Sequence, residues 1–98
     1  MAKMSTYMVV HNDPFIYWEE VQENWAKLAK VETCTWVRTL FNKKKGLRYC
    51  EWLAPHEDTL RSIFGELCIS YESIVKVEEM IPDLWAQRNL AAEETTRA

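Results

Sequence analysis

An α+β sandwich, with two helices covering one face of a four-stranded antiparallel sheet, is the fold class this sequence predicts. Three observations carry it. Four short runs are rich in β-branched and aromatic residues, two segments place large apolar residues at helical steps of three and four, and the runs alternate in the order strand, helix, strand, strand, helix, strand. That order is the β-α-β-β-α-β arrangement of ferredoxin-like domains, in which both helices bury their apolar stripes on the same sheet face.

The first strand is read over Tyr7 to His11, and Asn12-Asp13-Pro14 closes it with residues suited to start a helix. From Phe15 to Lys30, Trp18, Val21, Trp25 and Leu28 form one apolar stripe. Glu19, Glu20, Gln22, Glu23 and Lys27 take the other side, acidic early and basic late as the helix dipole prefers. Thr33 to Phe41 and Leu47 to Ala54 are joined by Asn42-Lys43-Lys44-Lys45-Gly46 and read as a hairpin. Symmetric pairing about Lys44 sets Trp36 across from Trp52 and Arg38 across from Cys50. Both pairs then share one face with Cys34, Leu40, Arg48 and Ala54.

Pro55 opens the second helix, with Glu57 and Asp58 in its first turn and Leu60, Ile63, Phe64 and Leu67 as its stripe. Gly65 is a weak point within it. Ser73 to Ile81 reads as the last strand, which Pro82 stops. The 98 residues thus make one domain with its core over 7–81. An extension over 82–98 holds a short helix anchored by Trp85 and then a frayed end.

Composition narrows the function classes. A net charge of −3 argues against nucleic acid, because phosphate binding needs clustered cations; the Lys43-Lys44-Lys45 run reads as a solvated hairpin tip. No apolar stretch approaches the roughly 20 residues of a membrane-spanning helix. The first residues, Met1 to Thr6, lack the apolar stretch of a signal peptide, so a cytoplasmic location is expected. Cys34, Cys50 and Cys68 are odd in number and lack CxxC spacing, which predicts reduced thiols rather than a disulfide or zinc framework.

Five Trp, four Tyr and three Phe are a heavy aromatic load for so small a domain. If the uncovered sheet face carries Tyr7, Val9, Trp36 and Trp52, a closed homodimer, as in dimeric α+β barrels, is its simplest cover.

The segments Tyr7-x-Val9-Val10-His11 and Tyr49-Cys50-x-x-x-Ala54-Pro55, with the hairpin from Trp36 through Pro55, resemble a family. It comprises small α+β proteins, largely of unknown function, that include an actinobacterial nickel-responsive, nickel-binding protein; the likeness covers about residues 7–81. The resemblance implies a ferredoxin-like dimer with a metal or small-molecule site near the strand Cys and His. His11 and Cys50 are then the metal ligands, and nickel, a divalent transition metal, is the implied cofactor. Two departures stand out. Many relatives have His residues in the second helix where this chain reads Ile63 to Cys68, and Arg38 stands where the nickel-binding relative has a His.

Read from chemistry alone, Cys50 beside Arg38 is a candidate reactive thiol, because a guanidinium favours the thiolate; its alternative is a small buried hydrophobe. Cys34 and Cys68 read as packing residues, and Trp18 and Trp25 as helix core. His11 is a candidate ligand, base or turn partner, whereas His56 is expected to be exposed. Trp36, Trp52 and Tyr7 with Arg38 and Arg48, and with Cys50 beside them, form a candidate pocket for an anionic planar ligand on the open face, or equally a Trp- and Arg-rich dimer interface.

No phosphate loop, catalytic triad order or HExxH is present. The reading is a homodimeric small-molecule or metal-ion binding protein that uses the open sheet face. A cofactor-independent enzyme and a ligand-free regulatory or interaction module are the alternatives.

Overall fold

The computed structural model describes residues 3–88. Its elements follow the expected order: β1 (Ser5–Asn12), α1 (Trp18–Leu28), β2 (Thr35–Asn42), β3 (Leu47–Ala54), α2 (Glu57–Glu66) and β4 (Ser73–Val77). The strands form one antiparallel sheet in the order β2-β3-β1-β4, the ferredoxin-like arrangement. A third helical stretch, 82–88, follows β4, so three helices are present rather than two.

Alternation along the strands decides what the helices cover. In β1 the buried positions are Tyr7, Val9 and His11, and in β3 they are Arg48, Cys50, Trp52 and Ala54. Leu60, Ile63 and Phe64 of α2 close over this set with Ile69 and Ile74. Full burial of side chains the size of Leu60 and Phe64 contributes about 1.5–3 kcal/mol each. At the β2 edge, α1 reaches the sheet through indoles: Trp25 lies 5.4 Å from the Phe41 ring and 6.3 Å from Trp36.

This placement corrects the expectation for the uncovered face. Tyr7, Val9, Trp36 and Trp52 do share a face, and Trp36 does pair with Trp52, but that face lies beneath the helices. The largest apolar set on the sheet goes where the apolar helix stripes can bury it. The open face instead presents Met8, Val10, Leu40, Tyr49 and Val75, with Leu40, Tyr49 and Val75 exposed.

A second correction concerns hairpin register. Trp36 pairs with Trp52, but the next partners are Arg38 with Glu51 and Thr39 with Cys50, leaving Val37 as a bulge. At the turn Asn42 pairs with Leu47 rather than with Gly46, and this one-residue offset, taken up at Val37, puts Arg38 and Leu40 on the open face and Thr39 and Phe41 on the helix side.

Smaller differences have local causes. α1 begins at Trp18, with Tyr17 as its N-cap, because Asn12-Asp13-Pro14 is occupied elsewhere. The Asp13 N–H donates to Gly46 O (2.9 Å), and its carboxylate takes a hydrogen bond from Arg48. β4 ends at Val77, four residues short of the expected Ile81, and Glu78 and Glu79 beyond it are both exposed. Trp85 is 59% exposed and so is not buried as the expected anchor; the expected frayed end falls on 89–98, which lie outside the described residues. Among the described residues no helix is long and apolar enough to cross a membrane.

Candidate functional site

The buried polar groups gather where β1 and β3 end against the Asp13–Tyr17 connector. His11 and Arg48 are directly opposed in the β1–β3 register, and they are only 2% and 4% exposed. His11 Nδ1–H donates to the Ser70 carbonyl oxygen at 2.7 Å, which fixes the tautomer and leaves Nε2 with a free lone pair. Phe64 meets the imidazole edge-on, with ring centroids 5.5 Å apart. Burial holds the imidazole below its ordinary value of 6.5 and Arg48 pushes the same way, while the Ser70 bond and Asp13 oppose them. The ring is therefore neutral at pH 7.

Arg48 Nη2 donates to Asp13 Oδ2 at 3.0 Å, an ion pair that compensates the buried guanidinium on one side. Among the described residues its Nη1 has no hydrogen-bond partner, nor does His11 Nε2; the indole nitrogens of Trp25 and Trp52 are buried and unpartnered there too. Leaving such a group unpaired costs about 1–3 kcal/mol, and more for a charged one.

Cys50, 1% exposed, lies on the same face diagonally from His11, next to Trp52 along β3. The Thr39 hydroxyl donates to its Sγ at 3.2 Å and in turn accepts from Trp36 Nε1 at 2.8 Å. Burial pushes the thiol up, and the Thr39 bond and Arg48 reduce the effect. It therefore remains a protonated thiol at neutral pH. Arg38, expected beside it, is on the opposite face and pairs with Glu51 at 2.9 Å.

The pocket expected on the open face is accordingly not assembled. Tyr7, Trp36, Cys50 and Trp52 are brought together beneath the helices, and Arg38 is not among them. His11 and Cys50 share a face. Cys34 is buried as a packing residue, whereas Cys68 is exposed, and His56 is the exposed N-cap of α2. The residues that sequence reasoning missed are Asp13 and Ser70. Asp13 resembled a helix cap, and no local signal ties a carbonyl 59 positions away to His11.

Two clefts border the group. One, of about 200 Å³, lies between the start of α1 and the hairpin end; Trp18, Val21, Phe41, Lys43, Leu47 and Arg48 are among its walls. The other, of about 350 Å³, is more polar and has Asp13, Glu20, Asn24, Arg48 and Ser70 on its walls.

These features define a small ferredoxin-like α+β protein with a buried His–Arg–Asp group at one sheet end. The chain belongs to the family described as nickel responsive protein SCO4226-like, which matches residues 7–77. No curated protein and no solved structure matches the chain.

Nickel requires several donors of suitable softness. His11 Nε2 fits one such position. The remainder of a single chain does not fit: no group of three or more His, Cys, Asp or Glu side chains able to hold a metal ion exists among the described residues, and the Arg48 cation stands opposite His11.

Proposed function

We propose that this protein binds a small ligand, as a homodimer, and that the ligand engages the His11–Arg48 end of the sheet rather than the open face. One observation carries the site: two directly opposed buried residues each keep an unpartnered nitrogen, one an acceptor (His11 Nε2) and one a charged donor (Arg48 Nη1). A ligand that satisfies either removes a penalty the free protein bears. The three free cysteines suit a reducing compartment, in keeping with a cytoplasmic role.

The dimer is supported by the open face. Leu40 neighbours Tyr49, and Tyr49 neighbours Val10, so an apolar row crosses three strands, with Met8 and Val75 paired beside it. A second copy of the chain is the partner that covers such a face symmetrically.

A second reading, nickel binding, is favoured by the family description and by the free lone pair on His11. It requires donors beyond those of one chain, from water or from the second copy.

Backbone amide mapping of the full chain with small organic acids, amines and neutral aromatics tests the first reading. Shifts clustered at 11–18, 46–48 and 68–70 are expected; shifts scattered over the surface, or none, defeat it. Equilibrium dialysis against nickel chloride, with His11→Ala as control, tests the second. Retention of nickel by that variant at the level of the parent removes His11 from the metal site.

A further inference from the structure

We propose that the cleft between α1 and the hairpin is a binding site for a small monocarboxylate with an apolar body, its carboxylate on Arg48 and its body against the wall formed by Trp18 and Phe41. The inference rests on the small-ligand reading above and names the ligand class.

Charge selects the chemistry. The protein is acidic overall, at −3, yet no Asp or Glu lines this cleft. Two cations border it. Arg48 keeps a buried, unpartnered Nη1 after giving Nη2 to Asp13, and Lys43 holds its ammonium 4.8 Å from the centre of the Trp18 ring. With Asp13 balancing one positive charge, the pair leaves a single positive charge for a single carboxylate. A guanidinium that already holds one carboxylate still presents N–H donors to a second. The more polar neighbouring cleft offers no such match, because Asp13 and Glu20 line it.

Shape and surface select the rest of the ligand. The walls besides the cations are mainly apolar: Trp18, Val21, Phe41 and Leu47, with Trp18 and Phe41 centroids 5.3 Å apart in a tilted arrangement. A volume of about 200 Å³ lies below the range of pockets for drug-sized molecules. A single ring or a short aliphatic chain suits it, and a dinucleotide or a peptide does not.

The test uses the purified full chain with benzoate and its neutral counterpart benzamide, followed by thermal unfolding and by the indole N–H resonance of Trp18. Benzoate is expected to raise the unfolding midpoint by several degrees and to move the Trp18 signal, with benzamide binding at least about tenfold more weakly. Lys43→Ala, an exposed hairpin change, is expected to weaken benzoate and leave benzamide unaffected. Val21→Trp, which fills the cleft, is expected to abolish both effects. Equal binding of the two probes overturns the carboxylate assignment while leaving a ligand pocket in place. If neither probe moves the Trp18 signal, the assignment falls, and shifts around His11 from another ligand then decide whether the broader reading survives.

Discussion

Gly46 and Asp13 hold the end of the hairpin against the connector into α1. The Asp13 N–H donates to the Gly46 carbonyl at 2.9 Å, and Gly46 has φ +68°, in the left-handed region that suits a residue without Cβ. A Cβ there would lie 2.1 Å from the Asp13 carbonyl oxygen, so backbone would meet side chain with no flexible group to give way. Gly46→Ala is therefore expected to destabilise by at least about 2 kcal/mol in urea unfolding. Because Asp13 is the partner of Arg48, the change should also loosen the candidate site; an unchanged urea midpoint would contradict this geometry.

Acid should weaken the fold through His11. Its folded-state value is lowered, chiefly by burial, with Arg48 and Asp13 as the nearby charges, so the unfolded chain takes up the proton first. The stability from a neutral His11 is complete above its ordinary value of 6.5 and declines as pH falls below it, by up to about 1.4 kcal/mol per pH unit until the folded-state value is reached. Urea unfolding at a series of pH values, compared with His11→Gln, checks the sign. The variant should lose this slope.

The last turn of α2 leaves room for stabilisation at two positions. Cys68 adopts φ 56° just past the helix end, where the Ile69 N–H donates to Phe64 O at 2.9 Å, a backbone closure that favours glycine. Gly65 sits inside the helix with open space where its Cβ would be. Cys68→Gly and Gly65→Ala are each expected to stabilise by about 0.5–1 kcal/mol, and thermal unfolding should show each midpoint rising.

Thiol labelling should follow burial. Cys68 is exposed and should react with iodoacetamide first, whereas Cys34 and Cys50 should wait for unfolding. Mass mapping at short times decides it. Rapid modification of Cys50 in the folded protein would be inconsistent with the raised, hydrogen-bonded thiol.

A charge on the open face should separate the proposed dimer. Leu40 is 58% exposed and touches on the apolar row through Tyr49, so Leu40→Glu should leave the fold intact and convert the sedimenting species from dimer to monomer. If the parent chain is itself a monomer at high concentration, the dimer is excluded.

Element order and periodicity were readable because they depend on local alternation. β3 runs over the expected Leu47–Ala54, and the Trp18–Val21–Trp25–Leu28 and Leu60–Ile63–Phe64 stripes do face the sheet. Symmetry about Lys44 does not hold at the turn, where Asn42 pairs with Leu47, and Trp36 meets Trp52 only because the bulge at Val37 takes up that one-residue offset. The family membership was readable from the strand motifs. The bulge at Val37 was not, since a β-branched residue in a strand-like run looks the same paired or unpaired. The register that leaves the turn, one residue off the symmetry about Lys44, separates Arg38 from Cys50 and removes the basis for an activated thiol. Nor could alternation say which sheet face lies beneath the helices, because it only sorts residues into two sets. The site's polar partners, Asp13 and Ser70, depend on tertiary contacts across the chain.

The nearly parallel indoles of Trp36 and Trp52, with centroids 6.0 Å apart and planes 13° from each other, form an optical dimer within the hairpin. Trp25 lies 6.3 Å from Trp36 and 5.2 Å from Trp18, so these four indoles make one chain of neighbouring chromophores that joins α1 to the hairpin. Near-ultraviolet circular dichroism is therefore expected to report the seating of α1 on the hairpin together with the alignment of its strands, and to fade if either slips while overall helicity persists.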